Sequence, residues 1–193
     1  MTRRTTLHPV ILPVPAAARP LKGRPKVDAL RAAAREALAQ SARYSGQKLG
    51  PLDKDDNGAP LPSNGLYWSL THKNAYVAAV CSPHAVGIDI ERLRPVSESL
   101  GERLAAPDEW ALAPTVDTLL FFRYWTAKEA VLKAVGMGLT GLSRCRIHRI
   151  VDDDHLLLTY DGRPWQVTHH RVGQEHLVTI TSDRVELIWH LRL

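Results

Sequence analysis

Cysteine is scarce. Cys81 and Cys145 are the only two in 193 residues, too few for the multi-bridge framework of a small secreted domain and too far apart in sequence for a zinc ligand pair. A reducing compartment is the expectation. Long apolar runs are missing too: Val10-Ile11-Leu12-Pro13-Val14-Pro15-Ala16 is too short to span a bilayer, is broken by two prolines, and lacks a signal-peptide core. A cytoplasmic protein with no membrane partner is therefore expected. The chain also shows no internal repeat, low-complexity linker, helix-turn-helix, aromatic RNA-binding signature or zinc finger. What it does contain, 45% hydrophobic and 23% charged residues, suits a compact chain with a sizeable core and excludes collagen-like, coiled-coil and disordered readings.

Charge is unevenly spread. Residues 1–50 carry ten Lys and Arg against two acids, whereas residues 51–193 carry fifteen against eighteen. A basic amino-terminal third suggests an anionic partner such as nucleic acid, headgroups or a small phosphorylated molecule, and is equally compatible with a solvated surface.

Lys26 to Ala42 has alanine-rich helical composition, with Arg31 and Arg35 one turn apart on a basic face. Residues 50–65 are dense in Gly, Pro, Asp and Asn and read as loop with at most a short strand. Leu66 to Val80 reads as a hairpin whose turn carries Thr71-His72-Lys73-Asn74. From Ala85 to Glu91 the chain alternates, placing Val86, Ile88 and Ile90 on one face and Gly87, Asp89 and Glu91 on the other, as in a half-buried strand. Helices are expected around Pro107 to Trp110 and from Val116 to Val135, the latter ending at Gly136. Beyond Arg146, short strands follow at regular intervals: RIHRI, HLLLTY, WQVTHH, HLVTIT and VELIWHL. This order points to an α+β fold.

Two constellations carry chemistry. Asp89 and Glu91, two apart on a strand, leave the same face about 7 Å apart at the backbone, a spacing that one hard cation can bridge. The same pair also reads as solvated acids beside Arg92 and Arg94. On the later helix, Trp125, Glu129 and Lys133 fall four apart and share a stripe. Alone, Glu129 and Lys133 are equally a surface ion pair, but Phe121, Phe122, Tyr124 and Trp125 indicate that much of this helix is packed.

Gly87-Ile88-Asp89-Ile90-Glu91, followed by Glu129 within Trp125-Thr126-Ala127-Lys128-Glu129-Ala130-Val131-Leu132-Lys133-Ala134-Val135-Gly136, resembles the 4′-phosphopantetheinyl transferases of the monomeric, surfactin-synthetase-activating type. Trp68-Ser69-Leu70-Thr71-His72 is similar to that family's Asn-x-Ser-His segment, and Gly58-Ala59-Pro60 to its Gly-Lys-Pro turn. The sequence departs from the family at Ser69, Thr71, Lys73 and Ala59, all on the coenzyme side.

The resemblance implies a pseudodimer of two similar halves, residues 1–84 and 85–193, each a helix on a small antiparallel sheet, with the seam near Ser82-Pro83. It further implies that phosphopantetheine passes from coenzyme A to a serine of an apo acyl, polyketide or peptidyl carrier protein, leaving 3′,5′-ADP. Asp89, Glu91 and Glu129 would hold Mg²⁺, and Mn²⁺ accepts the same ligands. Glu129 would act as base, Lys133 would serve the leaving phosphate, and Thr71, His72 and Arg31 would contact the coenzyme. A monomer that binds no nucleic acid is expected. The alternatives are a relative that binds coenzyme A without turnover, and a basic nucleic-acid-binding module.

Overall fold

The computed structural model describes residues 4–192, which form a four-stranded and a five-stranded sheet, each backed by one long helix, and a separate two-stranded ribbon. The first sheet contains β2 (Val10–Pro13), β3 (Tyr67–His72) and β4 (Tyr76–Ser82), with β4 antiparallel to both neighbours. Helix α1 (Gly23–Tyr44) lies on this sheet. Its alanine-rich composition lets the backbone approach closely: Ala34 and Ala37 are fully buried, packed with Leu38, Val10, Trp68 and Val77. Residues 50–65 carry only the isolated bridges Lys54 to Pro60 and Ser63 to Leu66, as the loop reading anticipates.

The second sheet runs β5 (Ile88–Arg92), β9 (His176–Thr181), β8 (Arg163–Val172), β7 (His155–Tyr160) and β6 (Cys145–Ile150), antiparallel throughout. β5 differs from the half-buried strand the alternation suggested, because Ile88, Asp89, Ile90 and Glu91 are all buried. Its Ile face packs with Ile11, Val80 and Val178, and its carboxylate face is covered by the neighbouring elements. Helix α4 (Thr118–Val135) crosses this sheet. The Asp117 side chain caps its start by accepting from the Leu120 N–H at 2.7 Å, and Gly136 ends it in the left-handed region at φ 74°. Two short helices precede it: α2 (Glu98–Leu104), which the sequence did not suggest, and α3 (Pro107–Trp110).

The chain's last strands return to the amino-terminal sheet. β1 (Thr5–Leu7) pairs in parallel with β10 (Val185–Leu187), and β2 pairs in parallel with β11 (His190–Leu191). VELIWHL is thus two strands rather than one, and the first sheet is mixed, not purely antiparallel. Strands β3 and β5 are each the edge of their own sheet, and they lie against one another.

Candidate active site at the seam between the sheets

Gly87 determines how closely α4 approaches β5. A Cβ at this position would run into the Ala130 carbonyl oxygen, so only glycine lets the helix backbone pass. That approach sets the helical stripe of Glu129 and Lys133 over the carboxylates of β5. Lys133 Nζ donates to Asp89 Oδ1 at 2.7 Å and to the Ile88 carbonyl at 3.1 Å.

Strand β3 contributes from the other side of the seam. Ser69 Oγ accepts from the Ile88 N–H at 3.1 Å, and the Thr71 hydroxyl donates to Asp89 Oδ1 at 2.9 Å. Thr71, expected on the coenzyme side, is therefore buried and orients a carboxylate of the opposite sheet. In the β3–β4 turn, Lys73 reaches across to Glu91, with Nζ 2.7 Å from Oε1.

Burial, with like charge crowded beside it, raises two carboxyls above their ordinary range. Glu129 is raised by burial, then by the negative charge of Asp89, with Lys133 opposing. Glu91 is raised by burial while its bond from Lys73 pulls it back down. His72 is lowered by burial and then by the Lys133 charge, with Lys73 and Arg31 adding smaller effects, so it is a neutral imidazole at neutral pH. Arg31 is exposed on α1 and stands 4.0 Å from Asp28. Its charge adds the smallest of the effects that lower His72.

The three carboxylates do not form a ready-made cage: among the described residues no group of three or more His, Cys, Asp or Glu side chains stands in metal-holding arrangement. Lys133 instead holds Asp89, and Lys73 holds Glu91. One donor nevertheless remains open. Asp89 Oδ2 is buried without a hydrogen-bond partner, an arrangement that is costly unless something else satisfies it. An all-oxygen donor set, an orphaned carboxylate oxygen and mutually repelling acids fit a hard divalent cation.

Beside Glu91 opens a cleft of about 780 Å³ that Arg19, Lys73, Arg92 and Arg94 line. A second cleft of similar volume lies on the amino-terminal side of β5, lined by His84, Arg163 and Arg184, away from the carboxylates. The Gly58-Ala59-Pro60 turn abuts the end of α4, where a Cβ on Gly136 would meet the Ala59 methyl at 3.3 Å. Neither cysteine is a nucleophile here, because burial raises the Cys81 thiol and pushes Cys145 up to about 12. Gly87 was given no role from the sequence, although its signal was present, a small residue on the acidic face of a strand; Ser69, expected on the coenzyme side, is buried and holds the Ile88 N–H instead.

Two sheets meeting edge to edge, with an acidic strand and a Glu/Lys helix at the junction, define an α+β protein with a cluster of charged side chains at its seam. The family model of the 4′-phosphopantetheinyl transferase superfamily matches residues 85–181, and the chain belongs to this superfamily. It is similar to the 4′-phosphopantetheinyl transferase HetI of Nostoc sp., 38% identical over 118 residues, covering 54% of this chain and 50% of that protein. A phosphopantetheinyl transferase of Thraustochytrium sp. is 29% identical over 192 residues, covering 84% of this chain and 67% of that protein. The 4′-phosphopantetheinyl transferase gsp of Aneurinibacillus migulanus is 30% identical over 90 residues, covering 45% and 38%. The chain spans about half the length of the first of these relatives.

Proposed function

We propose that the protein transfers 4′-phosphopantetheine from coenzyme A to a serine of an apo carrier protein, releasing 3′,5′-ADP. The observation that carries this reading is the seam itself: Asp89 of one sheet is held by Thr71 of the other and by Lys133 of the helix, while Oδ2 is left free. On this reading residues 1–84 and 85–193 are two halves of one monomeric enzyme, with residues 185–191 strapping the second back onto the first.

Asp89, Glu91 and Glu129 would hold Mg²⁺, which when bound supplies charge neutralisation to the coenzyme's diphosphate. Glu129, with its affinity for protons raised, takes the proton of the carrier serine hydroxyl. The serine oxygen forms a bond to the β-phosphorus as the bond to the bridging oxygen of 3′,5′-ADP breaks. Lys133, a compact charge with three donors, offsets the negative charge that develops on that leaving phosphate. Thr71 fixes Asp89 in orientation. Neutral His72 donates one ring N–H toward the phosphates, and Arg31 on α1 is placed for the 3′-phosphate. In the cleft beside Glu91, where Lys73 pairs with Glu91 and Arg92 with Glu175, the further charges of Arg19 and Arg94 suit an acidic carrier surface.

The test is 3′,5′-ADP released by the full chain, quantified by chromatography with coenzyme A, Mg²⁺ and an apo carrier. Release that requires all three and slows by about two orders of magnitude or more in Lys133→Ala, with coenzyme A affinity within a few-fold of wild type, supports the assignment. Equal loss of turnover and affinity removes Lys133 from the reacting end. Retained coenzyme A binding without release identifies an inactive relative.

A further inference from the structure

Glu91 is shielded, with 12% of its side chain exposed, and its Oε1 is held by an ammonium that comes from the other sheet. Lys73 occupies the β3–β4 turn, where its N–H closes the hairpin by donating to the Tyr76 carbonyl at 2.8 Å. Its backbone is therefore fixed while its side chain, 39% exposed, swings on a four-carbon stem. The two lysines at the carboxylates differ in how firmly they are held. Lys133 has two acceptors, Asp89 Oδ1 and the Ile88 carbonyl, and is the less exposed at 28%. Lys73 has Glu91 as its one acceptor among the described residues, and it stands at the rim of the cleft.

Resting on the metal assignment above, we propose that Lys73 is a built-in counterion that competes with the divalent cation for Glu91, so that metal enters the site by displacing this ammonium. Asp89 needs no such exchange, because its Oδ2 is already free. An ammonium and a divalent cation that need the same oxygen weaken each other's occupancy by the same factor. Lysine suits an exchangeable role: it is a single mobile charge, whereas a guanidinium fork grips a carboxylate through two bonds. Once displaced, Lys73 remains on the cleft wall with its charge available to an anionic substrate. Residue 73 thereby sets how much divalent cation the chain needs.

The experiment is titration of the metal-free full chain with Mn²⁺ alone, followed by the paramagnetic signal of free Mn²⁺ and by calorimetry, with thermal melts to verify folding. Lys73→Ser is expected to bind Mn²⁺ up to about fivefold more tightly than wild type, the scale of releasing one partly exposed ion pair. Lys73→Arg should bind no more tightly than wild type. In a Glu91→Gln background, Lys73→Ser should bring no further gain, since the competed oxygen has lost its charge. Wild-type and Lys73→Ser proteins that bind Mn²⁺ equally would overturn the exchange while leaving the metal assignment standing. No Mn²⁺ binding by any variant, including Lys73→Ser, would overturn both.

Discussion

Single residues in this protein do their work through partners that local sequence spacing cannot reveal. Asp89 and Glu91 were legible as a pair because a strand's period places them on one face, and Glu129 with Lys133 because a helix's does. Thr71 on Asp89 and Lys73 on Glu91 were not legible, since each contact crosses from one sheet to the other. The same holds for His169, whose place in the segment WQVTHH gives no sign of its partners. It is buried, with Nδ1 2.6 Å from the Thr179 hydroxyl, which also lies 2.6 Å from the Thr126 hydroxyl of α4. Burial, reinforced by the Arg123 charge, lowers its pKa from 6.5 to about 3. Between these values the unfolded chain binds a proton at this position that the folded chain refuses, so stability falls as pH drops below 6.5. His169→Leu should flatten the urea-derived stability against pH by up to about 1.4 kcal/mol per pH unit within this window. An unchanged slope would mean that His169 is protonated in the folded protein.

Among elements, the long helices and the carboxyl-terminal strands follow from composition and period; ends shift, as for α1, which begins at Gly23 rather than Lys26, and only VELIWHL divides, into β10 and β11. The amino-terminal strands β1 and β2 went unassigned because they are short, and β2 is an apolar run between prolines. The distance between α4 and β5 depends on Gly87. Gly87→Ala should cost about 3 kcal/mol or more, the upper range for overpacking, because the obstacle is backbone and cannot rotate away. Denaturant unfolding would show it; a cost below 1 kcal/mol would mean that the helix can retreat cheaply. The short helices before α4 are tied to it by a buried ion pair, Lys128 Nζ to Glu109 Oε1 at 2.8 Å. Lys128 also donates to the Leu104 carbonyl, and Glu109 accepts from the Ile147 N–H. Lys128→Ala strands a buried carboxylate and should cost about 3–5 kcal/mol, while replacing both residues by apolar side chains of similar volume should cost much less. Equal losses in the single and double variants would show that the pair itself stabilises the fold.

At the scale of the whole molecule, an α+β architecture was readable from the order of elements, but the return of the chain was not. The Thr6 side chain meets that of Glu186 across nearly the full length of the sequence, 180 residues apart. Such a pairing leaves no periodic trace. By fastening β10 and β11 to β1 and β2, the return holds the two sheets in one body, and with them the edge strands that supply Thr71 and Asp89. Whether this seam is the proposed transferase site is read most directly from the intact mass of an apo carrier protein after incubation with the full chain, coenzyme A and Mg²⁺. The expected result is a gain of one phosphopantetheine that disappears with chelator and with Glu129→Gln. A carrier mass unchanged across acyl, polyketide and peptidyl carriers, or a gain that persists in Glu129→Gln, would contradict it.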